Sequence, residues 1–201
     1  MAADKPSRRQ LILEALASEL EQNPGRRITT ASLGKAVGVS EAALYRHFAS
    51  KAKMFECLID FAEESVFARV NQILNEQSQV EPRCAQLLYL ILAFSERNPG
   101  ITRVLLGDAL VGETERLMVR VGQFFDRVET QLKQILREAE MRREIVLSAD
   151  STVVANLMTS YVEGLMHQFL RSRFRTSPLQ QWDEQWRLLS TALFSAPDSS
   201  M

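Results

Sequence analysis

The stretch SEAALYRHFASK, from Ser40 to Lys51, gathers side chains able to grip an anionic polymer. Ser40, Glu41, Ala42 and Ala43 are short, so a helix starting there presents a thin edge that fits low in the major groove of a duplex. Tyr45 and His47 can reach backbone phosphates. So can Thr30 and Lys51 at the starts of neighbouring helices, where amide and side-chain donors point the same way. Base edges would then meet the residues from Ser40 to Arg46, and sequence preference would be set there. Phe48 is the exception, an aromatic suited to anchoring the run on a core.

Such a helix needs a tight turn before it. Gly38-Val39-Ser40 supplies one: Gly38 can take the left-handed conformation that ends a helix, Val39 can plug the joint, and Ser40 can cap the next helix. This is the layout of a helix-turn-helix, with Leu33, Val37, Val39 and Leu44 as the apolar residues that lock the pair onto a preceding helix. A plain helical hairpin, with Tyr45 and His47 as ordinary surface residues, fits the same spacing. Charge favours the nucleic-acid reading. Residues 1–53 carry nine Lys/Arg against five Asp/Glu, a net +4, and the remaining 148 carry 15 against 20, a net −5.

The 201 residues suit one large domain or two smaller ones. Apolar residues recur at helical spacing nearly throughout, without two-residue alternation, so the expected fold is all-α with nine helices and no sheet. The helices are expected at about Ser7–Glu21, Thr30–Gly38, Glu41–His47, Ser50–Gln77, Arg83–Glu96, Ile101–Leu106, Glu113–Arg143, Ala149–Arg171 and Leu179–Phe194. QSQVEP and RNPG read as breaks between them, and the tail APDSSM as loose. The expected division is a head at 1–53 and a helical body at 54–201. No run approaches the roughly 18 apolar residues of a membrane span and the start is polar, so a cytoplasmic protein is expected. Cys57 and Cys84 sit in apolar helical patterns and read as buried free thiols. With only His47 and His167 besides, no metal-ligand spacing arises, and no cofactor is expected. A Gly-rich phosphate loop, a G-x-S-x-G elbow and paired catalytic carboxylates are all missing, so an enzyme is not expected.

The body carries two further patterns. The eighth helix is apolar on two sides, with Val153, Leu157, Tyr161 and Leu165 on one and Val154, Met158, Val162, Met166 and Phe169 on the other. A helix of this kind needs two partners. Together with Trp182 and Trp186 of the ninth, the residues Leu157, Tyr161, Leu165 and Phe169 suit a four-helix interface between two copies. A buried central helix in a monomer is the other reading. On the fourth helix, Phe55, Ile59, Ala62, Val66, Val70 and Ile73 form the core stripe, and Phe61 lies away from it beside small residues. Phe61 fits either a shallow groove for a partner peptide or packing beneath the head.

The segment ITTASLGKAVGVSEAALYRHFASKAKMF, Ile28 to Phe55, resembles the signature of the TetR family of DNA-binding regulators. That resemblance implies a three-helix DNA-binding head, a larger helical body and a homodimer on palindromic duplex sites, with two dimers per site left open. It places Thr30, Tyr45, His47 and Lys51 on the DNA backbone and Ser40 to Ala43 at the bases. The likeness runs on through SERNPGITRVLLGDAL, FDRVETQLKQILRE and EGLMHQFLRSRF into the body. There it resembles the nucleoid-occlusion branch of the family, whose members bind chromosomal sites and the tubulin-like division protein FtsZ. In that branch the FtsZ C-terminal tail docks beside the helix linking head and body. The matching positions here are Phe61, Glu64 and Arg69 on the fourth helix and Leu90, Ala93 and Arg97 on the fifth. The chain departs from the branch in three places: Ala49 replaces a proline, Asp108 a histidine, and Val111 to Thr114 match poorly. The expected function is therefore inhibition of FtsZ ring assembly over the nucleoid. The alternative is a repressor whose body takes a small molecule.

Overall fold

Short polar side chains start the helices by accepting otherwise unpaired amides. Ser7 Oγ accepts from Gln10, Ser40 Oγ from Ala43, Ser50 Oγ from Lys53 and Asp150 from Thr152, while Thr29 and Ser32 cap each other reciprocally. The computed structural model describes residues 7–195, so the tail Ala196–Met201 lies outside the described residues. Among them the helices are α1 (Arg8–Gln22), α2 (Thr30–Val37), α3 (Glu41–Tyr45), α4 (Lys51–Glu76), α5 (Val80–Arg97), α6 (Pro99–Leu105), α7 (Glu115–Met141), α8 (Ser151–Arg171) and α9 (Trp182–Leu193).

The all-α expectation holds, with corrections. A two-residue antiparallel pair joins β1 (Val146–Leu147) to β2 (Phe194–Ser195), too short to leave an alternating pattern. A 3-10 turn spans Asp108–Leu110. Val80, Glu81 and Pro82 belong to α5 rather than to the preceding break, because a proline in the first turn gives up an amide that has no helical partner. RNPG is likewise more than a turn: Asn98 bends the chain and Pro99 opens α6.

The described residues divide into two compact units, 7–63 with 98–121 and 64–97 with 122–195. The division falls within α4 and within α7, so the first unit is larger than a 1–53 head. Two residues of α6 explain this. Gly100 lies so close to α1 that a Cβ there would stand 2.0 Å from the Ala17 carbonyl oxygen. The Arg103 guanidinium, 1% exposed, donates to the carbonyls of Leu20, Asn23 and Arg26 and pairs with Asp108. It thereby closes the C-terminal end of α1. Ile12, Leu16, Leu20, Leu33, Leu44 and Phe55 fill the core of this unit.

In the second unit, Val154, Met158, Val162, Met166 and Phe169 of α8 are all buried, as is Cys84 of α5. Burial pushes the Cys84 thiol up to about 12. Cys57, in the first unit, is only half-buried, and its sulfur accepts from Arg9 at 3.2 Å, so the expectation of two buried thiols holds for one. The whole expected stripe of α4, from Phe55 to Ile73, is buried.

Candidate functional site

In the first unit, the turn between α2 and α3 is built as its sequence requires. Gly38 is left-handed at φ 72°, and the Val39 amide donates to the Gly34 carbonyl at 2.8 Å. Gly34 lets the turn close: a Cβ there would stand 2.8 Å from the Val39 carbonyl oxygen. Leu33 and Leu44 are buried, and Val37 and Val39 half-buried. Helix α3 stops at Tyr45, two residues earlier than expected, because the Leu44 carbonyl accepts from both His47 and Phe48. Phe48 is 2% exposed, with the Arg9 guanidinium 4.6 Å above its ring, so it does anchor the run. Ser40, Glu41, Ala42, Tyr45, Arg46 and His47 are exposed, and Ala43 is half-buried. An open cleft of about 410 Å³ lies along this face between Arg8, Ile12, Val39, Ala43, Arg46 and His47. Arg8 carries no signal in the sequence, since only folding brings the start of α1 to α3.

Three of the polar residues expected at DNA already have partners. Thr30 Oγ1 donates to the Glu41 carboxylate, which ties the start of α2 to the start of α3. Lys51 Nζ lies 2.7 Å from Glu113 Oε1, and Arg27 reaches the same oxygen at 3.9 Å. Glu113 is equally silent in the sequence. It stands 62 residues from Lys51, in a stretch, Val111 to Thr114, that departs from the family resemblance.

In the second unit, Arg69 of α4 and Leu90, Ala93 and Arg97 of α5 line one groove of about 470 Å³. Four of the six positions expected to take a peptide are thus brought together. Ile73, Glu76, Ala85, Gln86, Tyr89 and Trp182 complete the lining, and the Tyr89 and Trp182 rings meet edge to face at 5.9 Å. Arg69 is steadied by a hydrogen bond to Gln72. Glu64 is exposed on α4 outside this lining. Phe61 lies in the first unit and is 49% exposed, which disfavours the reading that buries it beneath the head. Tyr89 and Trp182 carry a helical signal, but their exposed and buried faces are not separable in sequence.

The residues expected at an interface between copies divide. Leu157 is exposed and Tyr161 and Trp186 half-buried, but Leu165, Phe169 and Trp182 are buried within their own unit. That corrects half of the set. Trp182 stacks on Trp186 at 5.8 Å, Phe169 meets Phe174, and Tyr161 donates to Gln185, so these rings tie the second unit together. The apolar side chains left open nearby are Val153 and Leu157 of α8 and Leu188 of α9.

The chain matches known proteins along most of its length. Residues 12–58 match a family model described as bacterial regulatory proteins, tetR family, and residues 78–194 match the SlmA-like tetracyclin repressor-like C-terminal domain. The chain is 55% identical over 185 residues to the nucleoid occlusion factor SlmA of Alteromonas mediterranea, covering 92% of this chain and 95% of that one. It is 52% identical over 193 residues to the SlmA of a Marinomonas species, covering 96% and 98%. Among solved structures, the MbdR regulator of Azoarcus sp. CIB superposes with a TM-score of 0.78 at 13% identity, over 91% of this chain and 97% of that one. The ketosteroid transcriptional regulator KstR2 of Mycobacterium tuberculosis gives 0.76 at 17% identity, over 96% and 98%. At those identities the two structures speak to fold alone.

Proposed function

This chain belongs to the family of SlmA nucleoid occlusion factors, and we propose that it binds palindromic chromosomal sites as a dimer and there captures the C-terminal tail of FtsZ. Division rings would then fail to assemble over unsegregated DNA, and the protein would reside on the nucleoid.

The mechanism rests on the chemistry of two surfaces. Helix α3 enters the major groove with Ser40 to Ala43 and Arg46 at the base edges, and Tyr45, His47, Lys51 and Thr30 hold phosphates. Each head alone makes a short helical contact; pairing through α8 and α9 doubles it with matched half-site spacing. Val153, Leu157 and Leu188 are the apolar side chains open to a second copy. In the second unit, Arg69 and Arg97 suit carboxylates of an acidic tail, while Leu90, Ala93 and Ile73 give it an apolar floor.

The single observation that carries this reading is the groove shared by Arg69, Leu90, Ala93 and Arg97, drawn from two helices and made of residues that the family resemblance already singles out. Relatedness at 52–55% identity over 92–96% of the chain favours it over a repressor governed by a small molecule, because such repressors diverge in the body. Recovery of chromosomal fragments bound to the protein in cells tests the DNA half. Enrichment of a common palindrome is expected, and fragments with no shared sequence would count against it.

A further inference from the structure

We propose that Glu113 is an internal stand-in for a DNA phosphate: its carboxylate holds Lys51 and Arg27 in the unbound protein, and duplex binding displaces it. The inference rests on the reading that the first unit docks on DNA.

The geometry is that of a shared acceptor. Lys51 Nζ lies 2.7 Å from Glu113 Oε1, with the two side chains 16% and 10% exposed. Arg27, open to solvent, approaches the same oxygen at 3.9 Å and donates to the Gly112 carbonyl at 3.4 Å. One anionic oxygen between two cations is the setting in which a phosphate oxygen is held, and carboxylate and phosphate compete for the same donors. The strap that carries Glu113 is built to place it. Gly112 turns it at φ +78°, and the Glu113 amide donates to the Leu110 carbonyl at 2.9 Å. Its other end is pinned by Asp108 on the buried Arg103. A duplex phosphate arriving at Lys51 thus releases a tethered carboxylate, and DNA occupancy is passed to residues 111–114.

The test is anisotropy of a labelled random-sequence duplex over a salt series, using the full chain. Glu113→Gln is expected to bind about fivefold tighter, with a salt slope steeper by about one. Glu115→Gln, which removes an exposed acid two residues on, is expected to change affinity less than about twofold. In a Lys51→Gln, Arg27→Gln background the gain from Glu113→Gln is expected to vanish. The proposal is overturned if Glu113→Gln binds no tighter than the parent chain, or if its gain persists in that background. A parent chain that ignores the duplex at low salt defeats the DNA reading itself, which is a separate outcome. If Glu113→Gln fails to fold, amide exchange of the parent decides: residues 111–115 are expected to exchange faster with duplex than without, and unchanged or slower exchange overturns the proposal.

Discussion

Arg103 and Asp108 meet at 2.6 Å, with the guanidinium sealed from solvent and the carboxylate partly open, and the same guanidinium donates to the Leu20 and Asn23 carbonyls at the end of α1 and to the Arg26 carbonyl just beyond it. One side chain of α6 thereby does the work of a helix C-cap on another element. It also explains the aspartate at 108, where the family resemblance leads one to expect histidine, since a carboxylate pairs well with a fully buried guanidinium. Arg103→Ala strands the carbonyls and the anion together. Urea denaturation is expected to show a loss of about 3–5 kcal/mol. Asp108→Asn, at the more open end of the pair, is expected to cost less.

Gly34 and Gly122 form a contrasting pair. A Cβ at Gly34 meets the Val39 carbonyl at 2.8 Å, whereas one at Gly122 meets nothing within 4 Å. Gly34→Ala is expected to destabilise by roughly 1–3 kcal/mol and to weaken duplex binding with it. Gly122→Ala, in the exposed middle of α7, is expected to raise stability by about 0.4–1 kcal/mol. Thermal melts of the two variants check both signs.

Much of this is legible in the sequence, for reasons that are local. The left-handed Gly38, the cap at Ser40 and the buried stripe of α4 come from spacing alone. The features that stay hidden depend on distant approach. Glu113 against Lys51, Arg8 beside Arg46 and His47, and Gly100 against Ala17 carry no periodic signal, because the partners are far apart in the chain. The two apolar sides of α8 are visible in its periodicity. Which residues face inward is not, because a helix that is apolar on two sides does not say which partner takes Leu165 and Phe169.

The two thiols are expected to differ. Burial holds Cys84 protonated to about 12 in the folded chain, against an ordinary value near 9. The folded state therefore keeps its proton where the unfolded state has lost one. This contribution to stability is whole below pH 9 and declines as pH rises from there towards 12. Iodoacetamide at mildly alkaline pH is expected to label Cys57 and to spare Cys84 until the protein unfolds, with mass spectrometry as the readout.

The proposed DNA contacts of α3 are separable by charge. Arg46→Ala removes a cation, so duplex binding should weaken with a salt slope shallower by about 0.9. Tyr45→Ala removes a neutral donor, so binding should weaken with the slope unchanged. Both side chains are exposed, and melting temperatures are expected to move little. Variants that bind as the parent does at every salt concentration would remove α3 from the interface.

The most direct measurement is sedimentation of FtsZ polymer in the presence of this protein, with and without the recovered DNA site, for the parent chain and for Arg69→Ala and Arg97→Ala. The parent with DNA is expected to lower the pelleted polymer severalfold, the DNA-free protein much less. Both variants should lose the effect while still shifting the DNA. Equal pelleting with and without the site, or full inhibition by both variants, would contradict the account.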